Sequence, residues 1–358
     1  MEFRRAFKRF KKDVWATVSA AFILAMILVA ILAYPLAPDK TQYANQMHLS
    51  IHSQPPGFTC KLLIIPREQP IRDNNFFFGN LNANEEIPVQ DIRWSDQAVA
   101  YKRFGNATDY FEEIPFNQFA LGANREDIET HHLINKRFLL GTDKYGRDLL
   151  SRLIIGSRIS ISIGFVAVII SLFIGIFMGA LAGFFGGWLD RIIMWVINVM
   201  WSIPTLLMVI AITLALGRGF WQVFVAVGLT MWVEVARLVR GLVKKTKEEI
   251  YVQAGITLGF SKTRLLVNHI LPVLIAPLIV ISAANFASAI LMESGLSFLG
   301  IGAQPPMPSW GGMVKDHFRY LLLGKPYLAL LPGLAIMSLV LAFMLLGNSL
   351  RDALDVRR

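Results

Sequence analysis

TKEEIYVQAGITLGFSKTRLLVNHILP, residues 246–272, is polar, basic and punctuated by one glycine, yet it stands between two apolar runs. Thr246, followed three residues later by Glu249 and then by Ile250-Tyr251-Val252, predicts a capping box at a helix start. Ile250, Ala254 and Leu258 recur at i, i+4 and i+8 as one apolar stripe. Gly259 suits a left-handed helix stop. Ser261 is placed to cap a second helix, SKTRLLVNHI, which enters the next apolar run at Pro272. The spacing predicts two helices joined by a tight bend. An amphipathic helix lying in lipid headgroups offers bulky aromatics. Here small Ala254 stands beside Gly255, which favours close approach by another protein surface.

Outward from this stretch the chain is apolar. Of 358 residues 54% are hydrophobic and 17% charged, against about 25% charged in soluble domains. A span of about 20 residues crosses the hydrocarbon core. Six segments meet that length: 14–36, 159–183, 192–216, 219–236, 270–292 and 327–347. The expected fold is all-α, a polytopic membrane protein with about six transmembrane helices. The first segment follows MEFRRAFKRFKKD and outlasts a signal-peptide core, so it reads as an uncleaved signal-anchor. The net charge of +10 gathers at the chain ends and in one loop rather than on an aromatic-interleaved basic face, which argues against nucleic acid. Cys60 is the only cysteine, so no intrachain disulfide framework or multi-cysteine metal site is available.

Arg4, Arg5, Lys8, Arg9, Lys11 and Lys12 at the start, the bases from Arg237 to Arg264, and Arg351, Arg357 and Arg358 fall on one side if six segments cross. The positive-inside rule makes that side the cytoplasm, so both termini are expected there. The expected parts are a basic amino terminus (1–13), a first helix (14–36), a large extracytoplasmic insert between the first and second helices (37–137), and a membrane domain (138–358) carrying the 246–272 loop. The insert reads as a structured cap because aromatics such as Phe76, Phe77 and Phe78 are frequent, but no period names its fold. His48 with His52, and His131 with His132, lack a third ligand of convincing spacing and read as solvated loop residues. LGFSKT does not complete the G-x-x-x-x-G-K-[ST] phosphate loop.

Gln253-Ala254-Gly255, Gly259 and His269-Ile270-Leu271-Pro272 resemble the EAA loop of ABC importer permeases, with Gln253 in place of the usual glutamate and Gly255 of the usual second alanine. LGTDKYGRDLLSRLIIGSRIS (140–160) and ESGLSFLGIGAQPPMPSWG (293–311) are similar to stretches flanking the second and fifth helices of oligopeptide and dipeptide permeases of the C type. GGWLDRIIMWVINVMWSIPTLL also fits, with Asn198 and Trp195 departing from the usual aspartate and arginine. The resemblance covers about residues 138–358 plus the first helix. It implies a permease subunit of an ATP-driven importer for oligopeptides or dipeptides, with nickel, glutathione or another small solute as the alternative cargo. It also implies a second homologous permease, two ATP-binding cassette subunits that bind ATP and Mg, and an extracytoplasmic substrate-binding protein. This chain is then no enzyme and holds no cofactor of its own. The ATPase-coupling residues implied are Gln253, Ala254, Gly255, Gly259, His269, Leu271 and Pro272.

Pathway or gate candidates are Pro204, Glu293, Ser297 and Trp310. Pro204 and Pro277 remove backbone donors and are expected to kink their helices. Glu293 either meets a peptide's amino terminus or ends its helix in water. Trp310, beside the prolines 305, 306 and 308, reads as an interfacial anchor of a stiff outer loop. Glu234 is expected to pair with Arg237 one turn away. A secondary transporter would need broken helices and charges near the midplane, whereas these acids are read near helix ends. A membrane sensor would need a larger internal domain.

Overall fold

Three glycines spaced four apart, Gly175, Gly179 and Gly183, bring two long helix backbones into close approach. A computed structural model describes residues 9–66, 77–80, 84–119, 123–217 and 219–354. Arg4, Arg5, Lys8, Phe76, Arg357 and Arg358 lie outside the described residues. The long helices are α1 (Val14–Ile31), α2 (Leu149–Phe185), α3 (Gly187–Trp201), α4 (Thr205–Leu216) and α5 (Phe220–Lys247). After α5 come a short α6 (Ile250–Thr257), α7 (Ile275–Phe298), α8 (Trp310–His317) and α9 (Tyr327–Leu354). Among the described residues five helical stretches are long and apolar enough to cross a membrane, or six if the α3–α4 pair, bent by 94°, is counted as one broken span.

The bend falls where the kink at Pro204 is expected, and it breaks the segment into two helices. Pro204 has no N–H and restricts the residue before it, so the helix stops at Trp201 and restarts at Thr205. Pro277 lies in the first turn of α7, directly after a 3-10 turn, a position where a missing N–H is tolerated. The irregular part comes earlier, with a π turn over Leu265–Ile270 and a 3-10 turn over Leu271–Leu274. Pro272 lies at their join and disrupts the regular ladder.

Two compact units share the chain. Residues 1–27, 159–304 and 333–358 form the first. On its α2 face a Cβ at Gly175 would lie 2.5 Å from Val235 Cβ, one at Gly183 2.8 Å from the Arg240 carbonyl, and one at Gly179 would strike the Ala236 carbonyl. Small residues at this spacing let helix backbones approach in lipid, where dispersion packing replaces the hydrophobic effect. Gly228 of α5 returns the arrangement, lying against Ile170 and Ala167. Ala167, Val209, Val227, Ala289 and Leu296 fill the space between α2, α4, α5 and α7.

The second unit comprises residues 28–158 and 305–332. It contains a five-stranded antiparallel sheet, which the all-α expectation omitted: β1 (Phe58–Ile65), β2 (Glu85–Trp94), β3 (Ala98–Arg103), β4 (Glu112–Pro115) and β5 (Leu133–Phe138), in the order β4-β3-β2-β1-β5. Leu63, Ile87, Val99 and Tyr101 belong to one apolar cluster, Ile51, Cys60, Leu62 and Phe138 to another. Phe77 and Phe78 are exposed and contribute to neither. The GTDKYGRDLLSR stretch, 141–152, clasps residues 39–54. Thr142 Oγ1 accepts from the Gln54 N–H at 2.9 Å, buried Asp143 takes Arg147 Nε at 2.7 Å, and Arg147 Nη1 donates to Asn45 Oδ1 at 3.0 Å. Ser151 Oγ accepts from the Asp39 N–H at 2.8 Å while bonding Asp148, and Arg152 donates to the Tyr43 carbonyl at 3.3 Å. Gly141 and Gly146 hold φ of +81° and +74°, which glycine adopts without strain.

His48 is buried 3.3 Å from Glu86, which also binds Lys136 at 3.2 Å, whereas His52 is exposed. Burial acts against ionisation of Glu86, but His48 and Lys136 outweigh it and hold the carboxyl below its ordinary range. His132 Nδ1 lies 3.0 Å from the Ile64 carbonyl and His131 is exposed. Burial pushes the Cys60 thiol up to about 11.

Candidate functional site

The 246–272 stretch folds as helix, bend, helix, but its first cap differs from the expected one. Helix α5 runs on to Lys247 and buries Thr246 in its last turn, so Thr246 cannot cap anything. Glu249 is the extended residue before α6, its N–H bonded to the Thr246 carbonyl at 3.1 Å, with no side-chain cap. Gln253 Nε2 instead donates to the Lys247 carbonyl at 2.9 Å, which satisfies an acceptor left over at the end of α5.

The far end of α6 closes as expected. Gly259 has φ +76°, its N–H bonds the Ile256 carbonyl at 3.0 Å, and the Phe260 N–H bonds the Gly255 carbonyl at 3.0 Å. That pair of bonds is a Schellman stop. A Cβ on Gly259 would meet no atom of this chain within 4 Å. A Cβ on Gly255 would come within 2.8 Å of Leu265 Cδ2 and 3.2 Å of Phe260 Cδ2, so the glycine there makes room for two bulky neighbours. Phe260 lies under the Arg264 guanidinium at 4.1 Å and stacks on His269 at 5.7 Å. Ser261 caps the next turn through the Arg264 N–H at 3.3 Å.

Seating comes from the opposite face to the one the stripe marks. Buried Val252, Leu265, Ile270 and Leu274 pack with Ala180 and Phe184 of α2 and with Val235, Val239 and Val243 along the second half of α5. Leu271 joins the edge of that cluster, and Pro272 is exposed. Lys247 Nζ donates to the Phe184 carbonyl at 2.9 Å. Ile250 and Leu258 are 86% and 73% exposed, and Ala254 is exposed between them. The stripe is therefore an outward apolar face held on a rigidly seated helix.

The other candidates are placed differently from expectation. Glu293 is fully buried within α7, which continues to Phe298, and its Oε1 accepts from Ser297 Oγ at 2.7 Å. Ser297 in turn accepts from the Ala303 N–H at 3.3 Å, pinning the turn that follows the helix. Neither a water-exposed helix end nor an open mouth describes Glu293 in this chain. Trp310 is buried too, its Nε1 donating to the Leu153 carbonyl at 2.9 Å while its ring covers Gly156. It anchors α8 onto α2 rather than facing lipid.

Glu234 makes no ion pair with Arg237 among the described residues. Arg237 lies over the Trp201 ring at 4.2 Å, and Arg240 takes Asp190 at the start of α3, with Nη2 2.8 Å from Oδ2. Lys244 Nζ adds a bond to Asp190 at 2.7 Å. Because α5 extends to Lys247, Glu234 is in mid-helix rather than at an end, and it is exposed. It lines a small recess of about 70 Å³ with Trp201, Met208, Thr230, Ser288 and Met292, beside the Pro204 break. Sequence reasoning missed the glycine ladder, whose signal was the G-x-x-x-G-x-x-x-G spacing, and the Asp190 clamp, which carries no local signal.

Residues 171–358, more than half of the chain, match the model of the binding-protein-dependent transport system inner membrane component. Residues 2–56 match the N-terminal TM domain of oligopeptide transport permease C. A glutathione transport system permease protein GsiD of Pectobacterium atrosepticum is 41% identical over 216 residues, 60% of this chain and 71% of that one. A dipeptide transport system permease protein DppC of Alkalihalophilus pseudofirmus is 40% identical over 215 residues, 60% and 70% of the two chains. A solved structure of the inward-facing MetNI methionine ABC transporter has a chain 17% identical, with TM-score 0.46, covering 57% of this chain and 97% of that one. The chain belongs to the family of binding-protein-dependent transport system inner membrane components.

Proposed function

We propose that this chain is one permease subunit of an ATP-driven importer of oligopeptides or dipeptides, and that α6 is the element through which partner ATPases drive it. The observation that carries the reading is the outward stripe of Ile250, Ala254 and Leu258 on a helix whose other face is fixed to α2 and α5. A push on such a helix moves the ends of both membrane helices together. An apolar stripe of this size left in water is unfavourable, whereas a groove in a second protein would bury it. The cargo class is supported by relatives that carry glutathione and dipeptide in their names. The full complex would pair this chain with a second permease, two ATP-binding cassette subunits and an extracytoplasmic binding protein. Its basic ends and the 246–272 loop would face the cytoplasm, and residues between α1 and α2 the opposite side.

The broken α3–α4 pair and the mid-helix Glu234 are features that a secondary transporter would also show. Family membership favours the ATP-driven reading, and the same two features then belong to the pathway face. Affinity purification of the chain from membranes tests this. The wild type should bring down two ATPase subunits and a second permease, and Ile250→Asp/Leu258→Asp should lose the ATPases while keeping the permease. Recovery of the ATPases by the double variant would remove α6 from the coupling surface.

A further inference from the structure

Glu234 stands near the middle of a 28-residue helix, with Val233, Val235 and Ala236 on either side turned into the bundle. Its own side chain turns out of the bundle, into the recess beside the Pro204 break. An intramembrane acid of this kind marks a ligand or ion path by default, because lipid gives a carboxylate no partner. The usual structural explanation, a neighbouring base, is absent among the described residues: Arg237 is stacked on Trp201, and Arg240 and Lys244 are committed to Asp190. The rest of the wall is mainly methionine. Met200, Met208, Met231 and Met292 line the recess beside Trp201 and Val233, with Thr205, Thr230 and Ser288 as the small polar groups.

Methionines are unbranched and polarisable and adapt to side chains of many shapes. One fixed carboxylate among adaptable thioethers suits a set of ligands that differ in shape but share a single cationic group. We infer that the Glu234 recess is a binding site in the translocation path for the ammonium group of a peptide, with the methionines accepting whatever side chain follows. This inference rests on the peptide-import reading above. A basic residue of a neighbouring subunit is the competing occupant, and the test separates the two.

The probe is a reporter cysteine at Ser288, exposed on α7 in the recess wall, in the full complex in membranes with Cys60→Ser removing the native thiol. Modification rates are measured with aminoethyl (cationic) and sulfonatoethyl (anionic) methanethiosulfonate, with Glu234 intact and with Glu234→Gln. The cationic reagent should be preferred, and Glu234→Gln should reduce that preference at least fivefold. A tripeptide with a free amino terminus should slow modification, its N-acetylated form should not, and Glu234→Gln should erase the difference. Failure of either reagent to reach Ser288→Cys, equal protection by both peptides, or a preference unchanged in Glu234→Gln would overturn the site. ATP-driven tripeptide uptake by the same membranes is read in parallel. Its absence in the wild type would contradict the import reading itself, whereas normal uptake with no Glu234 dependence contradicts only this site.

Discussion

Gln253 shows how one side chain departs from a family pattern and keeps the shape. Its amide donates to the Lys247 carbonyl at 2.9 Å, and a glutamate has no hydrogen to give there. Both groups are near solvent, so Gln253→Glu should cost no more than about 1 kcal/mol and keep uptake within about twofold of the wild type. Uptake and subunit recovery at equal membrane abundance check this. Loss of the ATPases from the Gln253→Glu complex would show that the amide is read by the partner. At this scale the sequence was informative wherever backbone conformation decides the residue: Gly259 was legible because few other residues accept φ +76°. Thr246 was misread because nothing local says that α5 continues to Lys247. The Glu234–Arg237 pairing failed for a related reason, since Trp201, distant in sequence, captures the guanidinium.

Elements are held by how closely their backbones approach. Ala substitution at two glycines should separate approach from propensity. Gly179→Ala puts a methyl against the Ala236 carbonyl and 2.8 Å from Val239 Cβ, and overpacking of that kind costs about 1–3 kcal/mol. Gly241→Ala, on the open side of α5 with no atom within 4 Å, should gain up to about 1 kcal/mol of helix propensity. Thermal unfolding followed by size-exclusion recovery in detergent should rank them Gly179→Ala below wild type and Gly241→Ala at or above it; equal melting would mean that α2 and α5 are not held by the ladder. The membrane helices were legible from length and hydropathy because lipid demands a continuous apolar run. The sheet was not. β1 alternates only over Phe58–Leu62 before Leu63 joins a second cluster, and a period of that length is too short to announce a strand.

At the scale of the whole molecule, the orientation proposed from the bases is testable with the chain's own chemistry. Cys60 is buried and its thiol is pushed up to about 11, so it is a quiet background for labelling. In intact spheroplasts an impermeant maleimide should modify Asn84→Cys and leave Lys262→Cys untouched until the membrane is opened. The reverse pattern would invert the protein. The central claim is that α6 transmits force from an ATPase, and Gly259 tests it most directly. Any β-carbon there strains the left-handed stop by roughly 1–2 kcal/mol, yet it touches nothing within this chain, so its main effect falls on whatever docks against the bend. ATP-driven uptake and ATPase co-purification are therefore measured for Gly259→Val at wild-type membrane abundance. The variant should insert normally and either release the ATPases or hydrolyse ATP without uptake; normal uptake with both ATPases bound would contradict the coupling role.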